Sequence, residues 1–346
     1  MSTGDDIEGQ KVATSNESKG DPQQFQTVVS AHDEEDLLPV VDDVSFPVWL
    51  IAFVGAAERF ACKIPGVLGL REAMATNIVN AMMAAGYLAT IPAAVMADMW
   101  LGRYRTILVS ALLQLCGSVI LFGTSFPRAV QAGAAEGGLA TAIVLISPGS
   151  GGVRSSIASF IAEQYTEINP KVKVLKNGKK LITDRELTIQ YIYNVYYWMV
   201  NVGGLSALMT TILEKYVGYW VAYLVPLCMM ALSVVPLLAW RHTLVQRPPS
   251  GSVLPQASRA MVYEKHHRQV PWTDTFIDEL KSGLLACRVF LLFPVHWLCL
   301  NQTFNNLISQ AGQMVNSGVP NDTIKSPNPI ASIILTPVAS KGLYLS

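Results

Sequence analysis

Apolar and polar positions alternate along this chain in blocks the size of whole helices. The first 44 residues are rich in Asp, Glu, Gln, Ser and Gly, with few apolar positions before Leu37, and read as a disordered tail. Long apolar runs follow, separated by polar joints, at Phe46–Cys62, Asn77–Ala97, Tyr104–Gly123, Gly137–Phe160, Thr188–Leu213 and Val217–Trp240. A seventh run starts near Cys287 and continues with amphipathic character to Val315. An eighth begins at Pro329 and is expected to cover only about one third of a crossing before Ser346. Since roughly 20 apolar residues span a bilayer as a helix, the pattern predicts an all-α, multi-pass membrane protein. Its expected organisation is a tail (1–44), a six-helix bundle (45–240), a polar linker (241–286) and a shortened start of a second bundle (287–346).

Composition strengthens this reading. The chain is 51% hydrophobic and only 14% charged, too apolar for a soluble protein of 346 residues. Its net charge of zero implies no global field toward nucleic acid. Five cysteines (Cys62, Cys116, Cys228, Cys287 and Cys299) stand singly, without the paired spacing of a zinc site. No apolar segment lies near Met1, so the first spanning helix is expected to direct insertion. Basic residues concentrate in the joints after the second, fourth and sixth runs, which places these joints and the N-terminus in the cytoplasm. The KVKVLKNGKK run (171–180) then reads as a solvated, topogenic loop, and His266-His267 as solvated linker.

One charge stands inside the fourth run. Arg154 lies in PGSGGVRSSIASFIAEQY (148–165), with small or apolar sequence on both sides. A lone arginine at that depth needs a partner or a watery cavity, unless it snorkels from a helix end. The small residues around it suit close helix packing.

The joint after the second run reads Asp98-Met-Trp-Leu-Gly102-Arg103-Tyr-Arg105. An acid at a helix C-terminus, a glycine for the turn and two arginines can form a charge relay that sets a helix-pair angle. Further stretches accompany it: Glu58-Arg59-Phe60, GGVRSSIASFIAEQY, YYWMVNVGG (196–204), NQTFNNLISQAGQM, VPND and NPI. With these motifs in this order, the chain resembles the proton-dependent oligopeptide transporters of the major facilitator superfamily, in particular their fungal members, over about Ala52 to Val338.

That resemblance implies a major facilitator-type N-terminal six-helix bundle plus a seventh segment and part of an eighth. It implies proton-coupled symport of di- and tripeptides, with the proton as coupling ion and no other cofactor. Glu58 and Arg59 match the core of the family's E-x-x-E-R-F-x-Y-Y motif, implying a coupling carboxylate and a cationic partner. The first Glu of that motif is Gly55 here, and its two tyrosines are Cys62 and Lys63. Arg154 stands where the family has a lysine; arginine keeps its charge and hardly deprotonates. Tyr87, Tyr197, Asn201, Gln302 and Asn328 match positions that line the peptide site. Asp98, Gly102, Arg103 and Arg105 match the family's conformational loop.

Alternatives remain for each group. Glu58-Arg59 could be an interior salt bridge without a coupling role, Tyr197 a packing aromatic, and Asn201 beside Gly203-Gly204 a packing feature. The join after Cys62 is short, and the second bundle is expected to be truncated, so a non-transporting membrane protein that associates with a full-length relative is the other reading. No nucleophile–base constellation supports an enzyme. The plasma membrane is favoured over the vacuolar one.

Overall fold

The computed structural model describes residues 39–61, 72–167, 169, 171–174, 180–249, 251, 274–300, 310 and 326–344. The first helix, α1, spans Phe46–Ala61. Helix α2 (Glu72–Met96) runs into a π turn at Ala97–Leu101. Gly102, at φ +78°, reverses the chain into α3 (Arg103–Thr124) with a backbone geometry that a side chain would strain. The short α4 (Pro127–Gln131) opens on a proline, whose missing N–H costs nothing at a helix start. It leads to α5 (Ala134–Gln164), the longest helix described. Asp184 caps α6 (Arg185–Gly204) by accepting from the Glu186 N–H at 2.7 Å. Then come α7 (Ser206–Tyr216), α8 (Tyr219–Ala239) and α9 (Asp274–Cys287), whose helical path continues through a 3-10 turn to residue 300. Last is α10 (Pro327–Tyr344).

Helix α1 is the centre of the bundle, packed against α5, α6 and α8. Val48, Ile51, Ala52 and Ala57 have no exposed surface, and with Ile107, Phe160 and Leu237 they belong to the core. At 16 residues α1 is about 24 Å long, short of a bilayer core, so its stability comes from its neighbours. Among the described residues, four helical stretches are long and apolar enough to cross a membrane on their own: Asn77–Leu101, Arg103–Thr124, Trp220–Ala239 and Leu280–Leu300. Helices α1, α5 and α6 are not among them. Helices α3 and α5 pack closely, because a Cβ on Gly149 would come within 2.7 Å of the Ser110 carbonyl oxygen.

Three features depart from the pattern read along the chain. The fifth run is not one helix: it breaks at Leu205, next to Gly203 and Gly204, two weak helix formers. The eighth segment is not a third of a crossing. Helix α10 has 18 residues, about 27 Å, continues through Pro337, and docks on α6 through a Trp198 Nε1–H bond to the Ile333 carbonyl at 3.1 Å. Pro337 is tolerated because a neighbouring helix supports the segment.

The tail and the basic joint also contain structure. Pro39–Val40 forms β1, Val172–Val174 forms β2 and Lys180–Thr183 forms β3. β3 is central, parallel to β1 (Pro39 opposite Ile182) and antiparallel to β2 (Val172 opposite Ile182). The basic run is thus part of a hairpin. Residues after β1 are fastened to the bundle: the Asp42 N–H donates to Thr188 Oγ1 at 3.0 Å, and the Tyr165 hydroxyl donates to Asp42 Oδ2 at 3.0 Å. Burial first, then this bond to Asp42, push the Tyr165 hydroxyl up to about 12.

The start of the linker is pinned at the same end. The buried Gln164 amide pairs with both backbone groups of Val245, donating at 3.0 Å and accepting at 2.9 Å, and the Gly251 N–H donates to the Asp98 carbonyl at 3.1 Å. Gln164→Ala leaves the Val245 pair without these bonds and is expected to cost about 1–3 kcal/mol. A lower midpoint for thermal unfolding in detergent, against a surface control such as Gln131→Ala, checks this.

Candidate functional site

The site is built where α1, α2 and α5 converge. Glu58, one turn from the C-terminal end of α1, is only 3% exposed. On α5, Ser150 and Arg154 are four residues apart and so share a face. Both reach Glu58 Oε1: the Ser150 hydroxyl donates at 3.0 Å, and Arg154 Nε lies at 3.4 Å. The Arg154 side chain is about a quarter exposed, whereas that of Glu58 is almost wholly enclosed.

The glycines of α5 explain how a third helix joins. A Cβ on Gly151 would stand 2.5 Å from the Gly86 carbonyl oxygen, so only glycine lets α2 come this near. The next residue of α2 is Tyr87, and its ring centre lies 5.6 Å from Arg154 Cζ, within cation–π range. The lone arginine of the fourth run therefore has a carboxylate on one side and an aromatic face on another. Burying a single charge here would be prohibitive; a charge pair with a hydroxyl and a ring as further partners is sustainable.

Of the two cations offered by the sequence as partners for Glu58, Arg154 is the one in contact. Arg59, the adjacent residue in sequence, is exposed. Successive helix residues point about 100° apart, so Glu58 and Arg59 face different sides.

The expected peptide-site residues divide. Tyr87 is in the cluster and is itself more than half exposed. Tyr197 is also more than half exposed, and Asn201, one turn on, donates through Nδ2 to the Tyr197 carbonyl at 2.8 Å. Asn328 is exposed in the first turn of α10, whose next residue, Pro329, lies over Gly204 of α6. Gln302 lies outside the described residues, as do Cys62 and Lys63. Among the described residues, no hydrogen bond or ring contact joins Tyr197, Asn201 or Asn328 to the Glu58–Arg154 pair.

A second charged group occupies the end of the bundle that carries the small sheet. Arg103 Nη1 lies 2.8 Å from Glu163 Oε1, and Arg103 Nε lies 3.8 Å from Asp98 Oδ1. Gly102 makes the turn between the acid and the arginine, and Arg105 is exposed. The closer acid, Glu163, was not singled out in the sequence. Its signal was there: an acid in the last turn of a helix opposes the macrodipole and calls for a cation. These groups line a cleft of about 680 Å³ together with Arg185, Tyr193 and Arg247. Ser150 carried no signal separable from the other small residues of α5.

Comparison with known proteins gives one result throughout. The POT family model matches residues 104–271. The probable peptide transporter ptr2 of Schizosaccharomyces pombe is 37% identical over 350 residues, covering 90% of this chain and 57% of its own length. Peptide transporter PTR_C of Candidozyma auris is 34% identical over 345 residues, with 91% and 60% covered. The chain thus spans less than two thirds of the length of these relatives. Among solved structures, the POT family transporter PepTSo superposes with a TM-score of 0.65 at 20% identity, covering 88% of this chain and 70% of that one. A POT family transporter in complex with 5-aminolevulinic acid gives 0.61 at 18% identity, covering 88% and 71%. These likenesses establish the fold, a multi-pass helical bundle like that of the POT family structures.

Proposed function

We propose that the chain, which is similar to the POT family over residues 104–271 and to fungal peptide transporters over 90–91% of its length, serves proton-coupled uptake of di- and tripeptides. The observation that carries the proposal is the enclosed Glu58–Arg154 pair, set at 3.4 Å within a bundle of this fold. Glu58 takes up the proton, because arginine holds its charge at any physiological pH. Protonation of Glu58 removes the charge that Arg154 faces. The guanidinium, partly open to the cavity, then offers its planar donors to a peptide carboxylate. Tyr87 holds Arg154 in place by its ring face, while Tyr197, Asn201, Asn328 and Gln302 contribute to the walls of the peptide cavity. Arg59 supplies positive potential beside the pair.

Asp98, Gly102, Arg103 and Arg105, joined by Glu163, form a charge lock between helix ends that opens and closes with the transport cycle. The basic joints and the N-terminal strand face the cytoplasm, with the chain in the plasma membrane. No cofactor beyond the proton takes part, and the chemistry is movement of substrate, not catalysis.

A second reading is a non-transporting membrane protein that works with a full-length relative. Expression in a host lacking peptide transporters, challenged with a toxic dipeptide, separates the two. Growth inhibition that disappears when the proton gradient is collapsed is the expected result. Full resistance, with the protein present in the membrane, favours the second reading.

A further inference from the structure

The cleft at the end of the bundle that carries the small sheet holds more positive charge than its acids account for. Three arginines line it, Arg103, Arg185 and Arg247, against two acids, Asp98 and Glu163. Both acids are turned to one of the three: Glu163 lies 2.8 Å from Arg103, and Asp98 lies 3.8 Å from it. Among the described residues, no ion pair joins Arg185 or Arg247 to an acid. Two exposed guanidinium groups are thus available in a concave site of about 680 Å³.

The arginines converge because the backbone holds each of them there. Arg103 and Arg185 are the first residues of α3 and α6, helices of 22 and 20 residues, so two positive helix ends open on the cleft with them. Arg247 comes from the start of the linker, which is tied down on either side of it. Val245 is bonded twice to the Gln164 amide, and the Gly251 N–H donates to the Asp98 carbonyl at 3.1 Å. Between these anchors the Arg247 carbonyl oxygen passes 3.6 Å from the place of a Cβ on Gly102.

We propose that this cleft binds a phosphorylated anionic headgroup, with Arg185 and Arg247 holding the phosphate beside the Arg103–Glu163 pair. Arginine suits the task, since its planar fork matches two phosphate oxygens and its charge persists at any physiological pH. A volume of this order takes a small organic molecule, so a phosphorylated ring fits better than a bare phosphate. That chemistry has two sources, an anionic lipid of the adjoining leaflet or a soluble sugar phosphate. Basic pockets between membrane helices on the cytoplasmic side bind phosphorylated lipid headgroups, which favours the lipid. The choice of source rests on the cytoplasmic placement of this end under the transport reading; the anion site does not. An anion seated in the cleft competes with Glu163 for Arg103, which ties occupancy to the charge lock.

Ligand-dependent thermal unfolding of the purified 346-residue protein in a neutral detergent tests this without relying on transport. The probes are a short-chain phosphatidylinositol monophosphate, a soluble inositol phosphate and a short-chain phosphatidylcholine as zwitterionic control, titrated at fixed ionic strength. A saturable rise of the melting midpoint with the phosphorylated lipid, and none with phosphatidylcholine, is expected. Arg185→Gln/Arg247→Gln is expected to weaken that binding at least about tenfold, the scale of two exposed ion pairs together. Arg128→Gln, at an exposed position in α4 beyond the other end of α3, is expected to bind like the wild type. Arg185→Gln alone, with a loss of about threefold, decides the matter should the double variant be unstable. Equal or tighter binding of the soluble inositol phosphate supports the site and makes a soluble anion its ligand; binding of the lipid alone supports it and makes the lipid its ligand. No midpoint shift with either phosphorylated probe overturns the proposal, as does a shift that the Arg185 and Arg247 variants leave unchanged. A chain that binds the probe and moves no peptide refutes the transport reading and leaves the anion site standing.

Discussion

Arg154→Ala is expected to destabilise the purified protein strongly, and Arg154→Ala/Glu58→Gln much less. Removing the guanidinium leaves the Glu58 carboxylate enclosed, with the Ser150 hydroxyl as a retained polar partner. Breaking a buried pair from one side costs about 3–5 kcal/mol, because the remaining charge is uncompensated. Removing the carboxylate as well, in Arg154→Ala/Glu58→Gln, takes that charge away and is expected to recover most of the stability. A loss of about 3 kcal/mol corresponds to a melting temperature lower by roughly 6–12 °C for a chain of a few hundred residues. Arg154→Lys separates charge from geometry: it restores a cation but loses the planar fork and the stacking on Tyr87, so partial recovery is expected. The decisive readout is the difference between the single and the double variant. A deficit of the same size in both would mean that Arg154 stabilises by packing alone.

Glu58→Gln has the opposite signature. The amide keeps the shape of the carboxylate and its bond to Ser150, so the fold is expected to survive. What is lost is the proposed proton site. In proteoliposomes, uptake driven by a proton gradient is expected to fall at least about tenfold, the scale of an interaction worth more than about 1.4 kcal/mol. Exchange of labelled for unlabelled peptide, which needs no net proton movement, is expected to persist. Equal loss of both activities would make Glu58 a structural residue and not a coupling one.

Much of this arrangement was legible along the chain because lipid imposes a simple rule. A helix surrounded by hydrocarbon must be apolar throughout, so α2, α3 and α8 stand out as unbroken runs and Arg154 stands out against α5. The resemblance supplied Glu58 as its partner, and the fold places the two in contact. What stayed hidden depends on contacts between distant residues. Gln164 looks like an ordinary polar residue at a helix end until Val245 is brought beside it. The β1–β3 pairing joins residues more than 140 positions apart, and β3 follows a lysine-rich run that has the composition of a loop. Tyr196 was one of several tyrosines in a row. Only the packing of α6 on α1 distinguishes it, because its ring enters the space that Gly55 leaves. The extent of α10 was also hidden: the helix runs through Pro337 to Tyr344, and it docks on α6 through the Trp198–Ile333 bond.

The central claim is that the Glu58–Arg154 pair links proton binding to peptide movement. Its most direct measurement is proton flux on peptide addition, using the purified chain in sealed liposomes with a pH-sensitive dye trapped inside. Addition of a dipeptide outside is predicted to acidify the lumen with the wild-type chain and to leave it unchanged with Glu58→Gln. Acidification of equal rate in both would contradict the account, as would a wild type that moves peptide inward without moving protons.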